Sequence, residues 1–348
     1  MCEVEMRLSQ LVVSVCLSLS LPIAAYGATE PGDRSLLSAH NCYPYHGMWS
    51  DRIDRALSTG YPLSIEQDLC WAQVDGMEAP RSLVAHNGPY NTEVPTLEEH
   101  FFERVRADVE ASLERARSDE SEREHWPMIV LDLDIKDNKP AHIDAIVKVL
   151  KQYQGWLTTA PRAETIDDRQ ELDLGPIMVI LTGSDNQRRV LHDELEIGEP
   201  ILAFGRCKTN GPDTSGMSDE QKRRAIASFP PERMVPSPAD NFHRWWNNSW
   251  HVVEAGGANR AGDWTEAEAA RLQELVDHAH RMGYLIRFYT INGHSSAVGA
   301  AGGYGGGYNT GSIQAAQTRW RAQIEAGVDL IATDQYVHFG RLRDSITD

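Results

Sequence analysis

The residues that could do chemistry stand at the ends of short apolar runs. The run Ser38-Ala39 ends on His40, and Val84-Ala85 ends on His86. Ser64 to Leu69 carries Glu66 and Asp68 two positions apart, and Leu131 to Lys136 carries Asp132, Asp134 and Lys136 at every second position. Ala332-Thr333 ends on Asp334. Residues two apart on a strand share a face, so the polar groups of each run point one way, with Leu131, Leu133 and Ile135 pointing the other. Carboxylates grouped without a thiolate suit a hard cation, Mg²⁺ or Ca²⁺. Two histidines can divide acid and base duties between a nucleophile and a leaving group. A lysine beside the cation can hold charge on phosphoryl oxygens. Singly, each residue has a plainer explanation: a packed histidine, a solvated Glu-x-Asp pair, an Asp-x-Lys salt bridge. Together they supply what cleavage of a phosphodiester needs.

Strand ends meet only if the fold gathers them. The pattern predicts strands at Leu36–Asn41, Leu63–Leu69, Ser82–Asn87, Met128–Lys136, Ile177–Gly183, Ile201–Arg206, Met234–Ser237, Leu285–Asn292 and Leu330–Gln335. Helices with readable ends fall between most of them. Thr96 with Glu99 and Thr265 with Glu268 form capping boxes, Pro140 opens a helix bearing Ile143, Ile146, Val147 and Leu150 on one face, and Gly327 closes a last one from Gln317. Alternation of this kind over about 300 residues implies a parallel sheet covered by helices. Near-eightfold repetition in one domain predicts a single (β/α)₈ barrel, whose C-terminal strand ends converge on one pit. No G-x-G-x-x-G follows the first strand, which counts against a dinucleotide fold.

Composition sets the outer bounds. Of 348 residues, 41% are hydrophobic and 24% charged, enough for a full core. The 51 Asp and Glu against 33 Lys and Arg give −18, which argues against a nucleic-acid partner and against docking on anionic lipid by charge alone. Leu11 to Ile23 is uncharged but short for a membrane span; with Arg7 before it and Ala25-Tyr26-Gly27 after it, it predicts a signal peptide over residues 1–27. The expected mature domain, 28–348, is then secreted or periplasmic, with no transmembrane segment. A glycine-rich stretch at 293–312 follows a strand end and so belongs to the rim, as a lid or a plain insertion.

The order His40, Glu66-x-Asp68, His86, Asp134-x-Lys136 resembles that of the phospholipase C-like phosphodiesterase superfamily. That superfamily includes glycerophosphodiester phosphodiesterases, phosphatidylinositol phospholipases C and sphingomyelinase D relatives. Pro95 to Glu99, Arg287 to Asn292 and Gly327 to Asp334 also have counterparts there, and the His-Asn opening, Asp-Ile-Lys strand and Thr-Asp ending look closest to the altered-inheritance-of-mitochondria branch. The resemblance implies that Glu66, Asp68 and Asp134 hold one divalent cation, Mg²⁺ or Ca²⁺, that His40 and His86 are the acid–base pair and that Lys136 contacts the phosphate. It implies that Tyr289 lines the substrate pocket, where many relatives have tryptophan. His40-Asn41-Cys42 departs from the His-Arg-Gly opening of the glycerophosphodiesterases. The expected substrate is a small-molecule or lipid phosphodiester, attacked in much of the superfamily by one of its own hydroxyls, with a transient membrane-surface contact left open.

Other features stay open at this stage. Cys42 and Cys70, each two residues past a site residue on neighbouring strands, are expected to form a rim disulfide, with free buried thiols the alternative. Phe242 to Trp246, with Trp245 as its candidate substrate contact, reads either as a wall for an acyl or sugar group, as an interfacial anchor, or as a packed loop core. Arg206 could grip a phosphate or make a structural salt bridge. The expected activity is that of a secreted, metal-dependent phosphoric diester hydrolase. Its alternatives are a phospholipase D or sphingomyelinase D-type lipase, a glycosidase using paired carboxylates, and a non-catalytic barrel binding protein.

Overall fold

A computed structural model describes residues 31–44, 49–295, 297–298 and 306–347. The expected signal peptide and the centre of the glycine-rich stretch lie outside these residues. Eight parallel strands follow in chain order: β1 (Leu36–Ala39), β2 (Leu63–Ala72), β3 (Ile129–Ile135), β4 (Ile177–Leu181), β5 (Phe204–Arg206), β6 (His243–Ser249), β7 (Leu285–Tyr289) and β8 (Leu330–Thr333). Each pairs with the next, and β1 pairs with both β2 and β8, so the sheet closes into a (β/α)₈ barrel. The helices that follow the strands are α1 (Arg52–Leu57), α2 (Glu103–Ser118), α3 (Pro140–Gln152), α4 (Asp185–Arg188), α5 (Asp219–Ala227), α6 (Glu266–Arg281), α7 (Ile313–Ala326) and α8 (Tyr336–Thr347). Among the described residues no helix is long and apolar enough to cross a membrane.

The local signals act where the sequence placed them. Thr96 Oγ1 accepts from the Glu99 amide while Glu99 Oε2 accepts from the Thr96 amide, and a π-turn at Glu98–Phe102 leads from this box into α2. Thr265 and Glu268 cap α6 in the same way, Pro140 is the first residue of α3, and Gly327 ends α7 at φ +80°, a conformation that favours glycine. Outward residues of β3, among them Leu131 and Leu133, are fully buried under the helices.

Three strand assignments need correction. Ser82–Asn87 does not join the barrel: Arg81–Val84 folds back antiparallel on the end of β2, with Cys70 opposite Leu83. Ser82 Oγ, 2.9 Å from His142 Nε2, pins this hairpin to α3. The run from Ile201 divides, Pro200–Ile201 pairing with Ala160–Pro161 and only Phe204–Arg206 entering the barrel. The sixth strand is His243–Ser249 rather than Met234–Ser237. It carries polar residues on both faces and so does not read as an apolar run; Arg244 on its outer face donates to the Gln170 carbonyl at 2.7 Å.

Candidate active site

Register places the polar residues at one height. Glu66 lies opposite Asp132 and Asp68 opposite Asp134, and Lys136 continues the ladder with its amide on the Leu69 carbonyl. Barrel interiors are ordinarily filled by branched apolar side chains; here one layer is ionic. Arg287, buried on β7, donates to Glu66 Oε2 at 3.1 Å and to Ser38 Oγ at 3.1 Å, and lies 3.5 Å from Asp132 Oδ2. Asp132 therefore serves beneath the pit, as a counter-charge to Arg287. Burial pushes Asp132 up to about 7, against the pull of Arg287. Glu66, which burial alone would raise, is held low by Arg287 and His40.

Above this layer Glu66, Asp68 and Asp134 bring one ligand oxygen each within 4.8 Å of one another. Asp68 is fully buried. One of its oxygens accepts from the Tyr43 hydroxyl at 2.6 Å and faces Lys136 Nζ at 2.7 Å; the other, Oδ1, is buried with no hydrogen-bond partner among the described residues. Lys136 Nζ also donates to Asp134 at 2.6 Å. An all-oxygen donor set with an orphaned buried carboxylate oxygen fits a hard divalent cation. Burial, reinforced by Glu66, raises Asp68 while Lys136 opposes the rise. The Lys136 ammonium is held charged, against burial, by Asp68 and Asp134.

The two histidines flank these carboxylates. His40 Nε2 is 3.9 Å from Glu66, and His86 Nε2 is 4.0 Å from Asp68. His40 is 8% exposed, whereas the His86 side chain is 47% exposed. His86 arrives not on a barrel strand but on the returning hairpin, where the Ala85 amide donates to the Asp68 carbonyl at 3.0 Å. His40 Nδ1 lies 3.1 Å from Asp334 Oδ1. Burial would lower His40, but Asp334 and then Glu66 raise it above the usual value, while burial and Lys136 lower His86. Asn41, next to His40, takes a left-handed φ of +50° that aims its amide at Glu66 Oε2, 3.1 Å away; asparagine tolerates that conformation better than most residues.

The remaining expected residues divide. Tyr289 and Arg206 line one cavity at the ends of β5 to β7. Trp245 does not line a ligand wall. It shares the inward face of β6 with Asn247, is 2% exposed, and its indole donates to the Leu181 carbonyl at 2.9 Å. Trp246 and Trp250 are buried as well, so this aromatic cluster is packed core on a strand and no interfacial anchor. The expected disulfide is absent: Cys42, Cys70 and Cys207 are free and buried, and Cys70 Sγ turns to the Ala85 carbonyl, 3.1 Å away.

Several participants went unassigned in the sequence. Arg287 had a signal, a lone charge inside Leu-Ile-Arg-Phe-Tyr. Tyr308, whose ring meets His40 edge-on at 5.7 Å and Tyr289 at 6.3 Å, closes the side of the pit. Arg52, on α1, and Asn292, past β7, converge on Asp334 from distant parts of the chain, and no local pattern marks them.

No protein-family model matches the sequence, and no curated protein does. Among solved structures, a glycerophosphoryl diester phosphodiesterase from Parabacteroides distasonis ATCC 8503 is similar at 12% identity and TM-score 0.42, over 92% of this chain and 89% of that one. A glycerophosphodiester phosphodiesterase from the same organism matches at 11% identity and TM-score 0.42, over 92% of this chain and 100% of that one. Plasmodium falciparum HPPK-DHPS matches at 7% identity and TM-score 0.41, over 91% of this chain and 49% of that one. At these identities the chemistry has to be read from this chain's own residues.

Proposed function

We propose that the protein is a metal-dependent phosphodiesterase. The observation that carries this is the convergence of Glu66, Asp68 and Asp134 between two histidines, with Lys136 bridging two of the carboxylates. A divalent cation held by the three carboxylates would supply Lewis-acid charge to a phosphoryl oxygen. Lys136 stands ready to donate to a second phosphoryl oxygen once its carboxylate partners turn to the cation. One histidine takes a proton from the attacking hydroxyl, of water or of the substrate itself, and the other returns a proton to the leaving oxygen. Asp334 fixes the His40 ring through Nδ1, leaves Nε2 facing the pit, and stabilises the imidazolium whenever His40 carries the extra proton. Arg287 keeps Glu66 ionised as a ligand. In the same proposal, the leader read at residues 1–27 exports this chemistry from the cytoplasm.

Hydrolysis of bis(p-nitrophenyl) phosphate, followed by released nitrophenolate during Mg²⁺ and Ca²⁺ titrations, tests this reading. The expected result is saturable activation by one of the ions, lost in His40→Ala and in His86→Ala. Turnover equal in chelator and in metal, or intact in both variants, would overturn it.

A further inference from the structure

The three carboxylates are placed by the barrel itself, but His86 is not. It follows Arg81–Val84, the arm that pairs antiparallel with the end of β2. The far edge of that arm meets the Pro95 carbonyl through the Val84 amide at 2.8 Å. A surface pair, Arg81 with Glu99 at 3.7 Å, is of a kind that adds little. Beyond these contacts, a line of three side chains ties the arm to α3. Trp71 of β2 and Ser82 of the arm lie opposite one another and so share a face. Both meet His142: the Trp71 ring stacks on the imidazole at 5.5 Å, and Ser82 Oγ lies 2.9 Å from Nε2. His142 is fully buried, and its Nδ1 lies 3.3 Å from Asp137 Oδ1. Asp137 is itself fixed, accepting from the Trp71 amide at 3.2 Å and from the Lys139 amide at 3.1 Å.

Proton placement follows from these partners. An ionised carboxylate only accepts, so His142 Nδ1 carries the hydrogen and Nε2 accepts from the Ser82 hydroxyl. Burial lowers His142 against the pull of Asp137, which keeps the ring neutral. Serine, histidine and aspartate are also the members of an acyl-transfer triad. A fully buried imidazole, however, can hand no proton to a leaving group, so these three hold rather than react. What they hold is specific. Asp137 is the residue after Lys136, and Ser82 stands four residues before His86. Lys136 Nζ lies 2.7 Å from Asp68 Oδ2, and His86 Nε2 lies 4.0 Å from the same oxygen. The line thus begins beside the lysine and ends on the arm that brings the histidine to the same carboxylate. We propose that Asp137, His142 and Ser82 are positioning residues that set the place of His86 over Asp68. This rests on the phosphodiesterase reading for the part His86 takes in turnover, while the placement itself stands on the three contacts.

Ser82→Ala removes the donor to His142, and Ser82→Thr keeps it. Two readouts are taken on the full-length protein. One is hydrolysis of bis(p-nitrophenyl) phosphate at saturating Mg²⁺ or Ca²⁺. The other is the set of histidine Cε1–H signals by NMR in chelator, with those of His40 and His86 identified by their loss in His40→Ala and His86→Ala. In Ser82→Ala, kcat should fall by between about tenfold and about 10²-fold, the cost of misplacing a catalytic group by up to about 1 Å. KM and the midpoint of the metal titration should stay unchanged, and the His86 signal should move or broaden while that of His40 stays. Ser82→Thr should restore both readouts, and His142→Asn, which leaves Ser82 without its acceptor, should match Ser82→Ala. In an enzyme that turns over, unchanged kcat in Ser82→Ala, an unmoved His86 signal, or His40 and His86 signals that move together overturns the positioning role and leaves the phosphodiesterase reading intact. A His86 signal displaced alone, in a protein whose wild type cleaves no diester, does the reverse. Absence of both overturns both.

Discussion

Asp334 Oδ1 sits 3.1 Å from His40 Nδ1, and the same carboxylate is gripped by the Arg52 guanidinium and by Asn292 Nδ2 at 2.5 Å. The last strand therefore orients the histidine of the first, across the seam where the barrel closes. Although burial opposes it, His40 and Arg52 hold the Asp334 carboxyl well below the usual carboxylate range.

Replacing Asp334 by Asn keeps the shape and removes the charge. Turnover should fall by about 10² to 10⁴, as when the orienting carboxylate of a histidine dyad is neutralised. Because Asp334 raises His40, the His40 titration followed by proton NMR in chelator should move to lower pH. An unmoved titration would mean that the contact does not govern His40.

Lys136 bridges Asp68 and Asp134, so a cation arriving there must take over oxygens the ammonium holds. Lys136→Met should therefore bind Mg²⁺ or Ca²⁺ more tightly at pH 8, by roughly tenfold (about 1.4 kcal/mol), while turnover drops about 10²-fold or more for loss of a phosphoryl donor. Calorimetry and initial rates check the two effects separately. Weaker cation binding in the variant would contradict the bridging role.

Arg287 is the counter-charge of two buried carboxylates, Glu66 and Asp132. Removing one partner of a buried pair costs about 3–5 kcal/mol, so Arg287→Met should lose that much in urea unfolding with chelator present. Saturating divalent cation should restore part of the loss, since it replaces positive charge beside Glu66. Equal losses with and without cation would separate Glu66 from the metal site.

His100 supports the site from outside the barrel wall, through the outward-facing Gln67. Its Nδ1 lies 2.6 Å from Gln67 Oε1, and Gln67 Nε2 donates to the Cys42 and Glu66 carbonyls. Burial pushes His100 down to about 4 from an ordinary 6.5. A histidine lowered in the folded state binds protons first when unfolded. Its contribution is thus complete above pH 6.5 and is lost as the pH falls toward 4, about 3 kcal/mol in all. Unfolding free energies of the wild type and His100→Asn should converge across that window; curves that stay parallel would contradict the burial argument.

How much of this was legible follows from what each residue depends on. The strands with an apolar outward face, such as Ile129 to Ile135 with Leu131 and Leu133 under helices, declared both their identity and their polar inward face. With them came His40, Glu66, Asp68, Asp134 and Lys136. The strand His243–Ser249 did not, because Arg244 and Asn248 share its outer face with Trp246. The aromatic cluster there, open in the sequence between a ligand wall, an interfacial anchor and a packed loop core, is packed core. His86 was found in the right place for an incomplete reason: an antiparallel hairpin returns it to Asp68, an outcome that depends on the pairing of Arg81–Val84 with β2. Arg52, Asn292 and Tyr308 belong to the site only through contacts between distant segments, which spacing along the chain does not encode.

Phosphorus NMR on the purified protein tests the central claim most directly. Glycerophosphocholine, phosphatidylinositol, lysophosphatidylcholine and sphingomyelin are each incubated with Mg²⁺ or Ca²⁺, with chelator, and with His40→Ala. The account predicts a new monoester or cyclic-phosphate resonance from at least one of them, absent with chelator and in the variant. Phosphodiester cleavage that persists through both chelation and His40→Ala would contradict it.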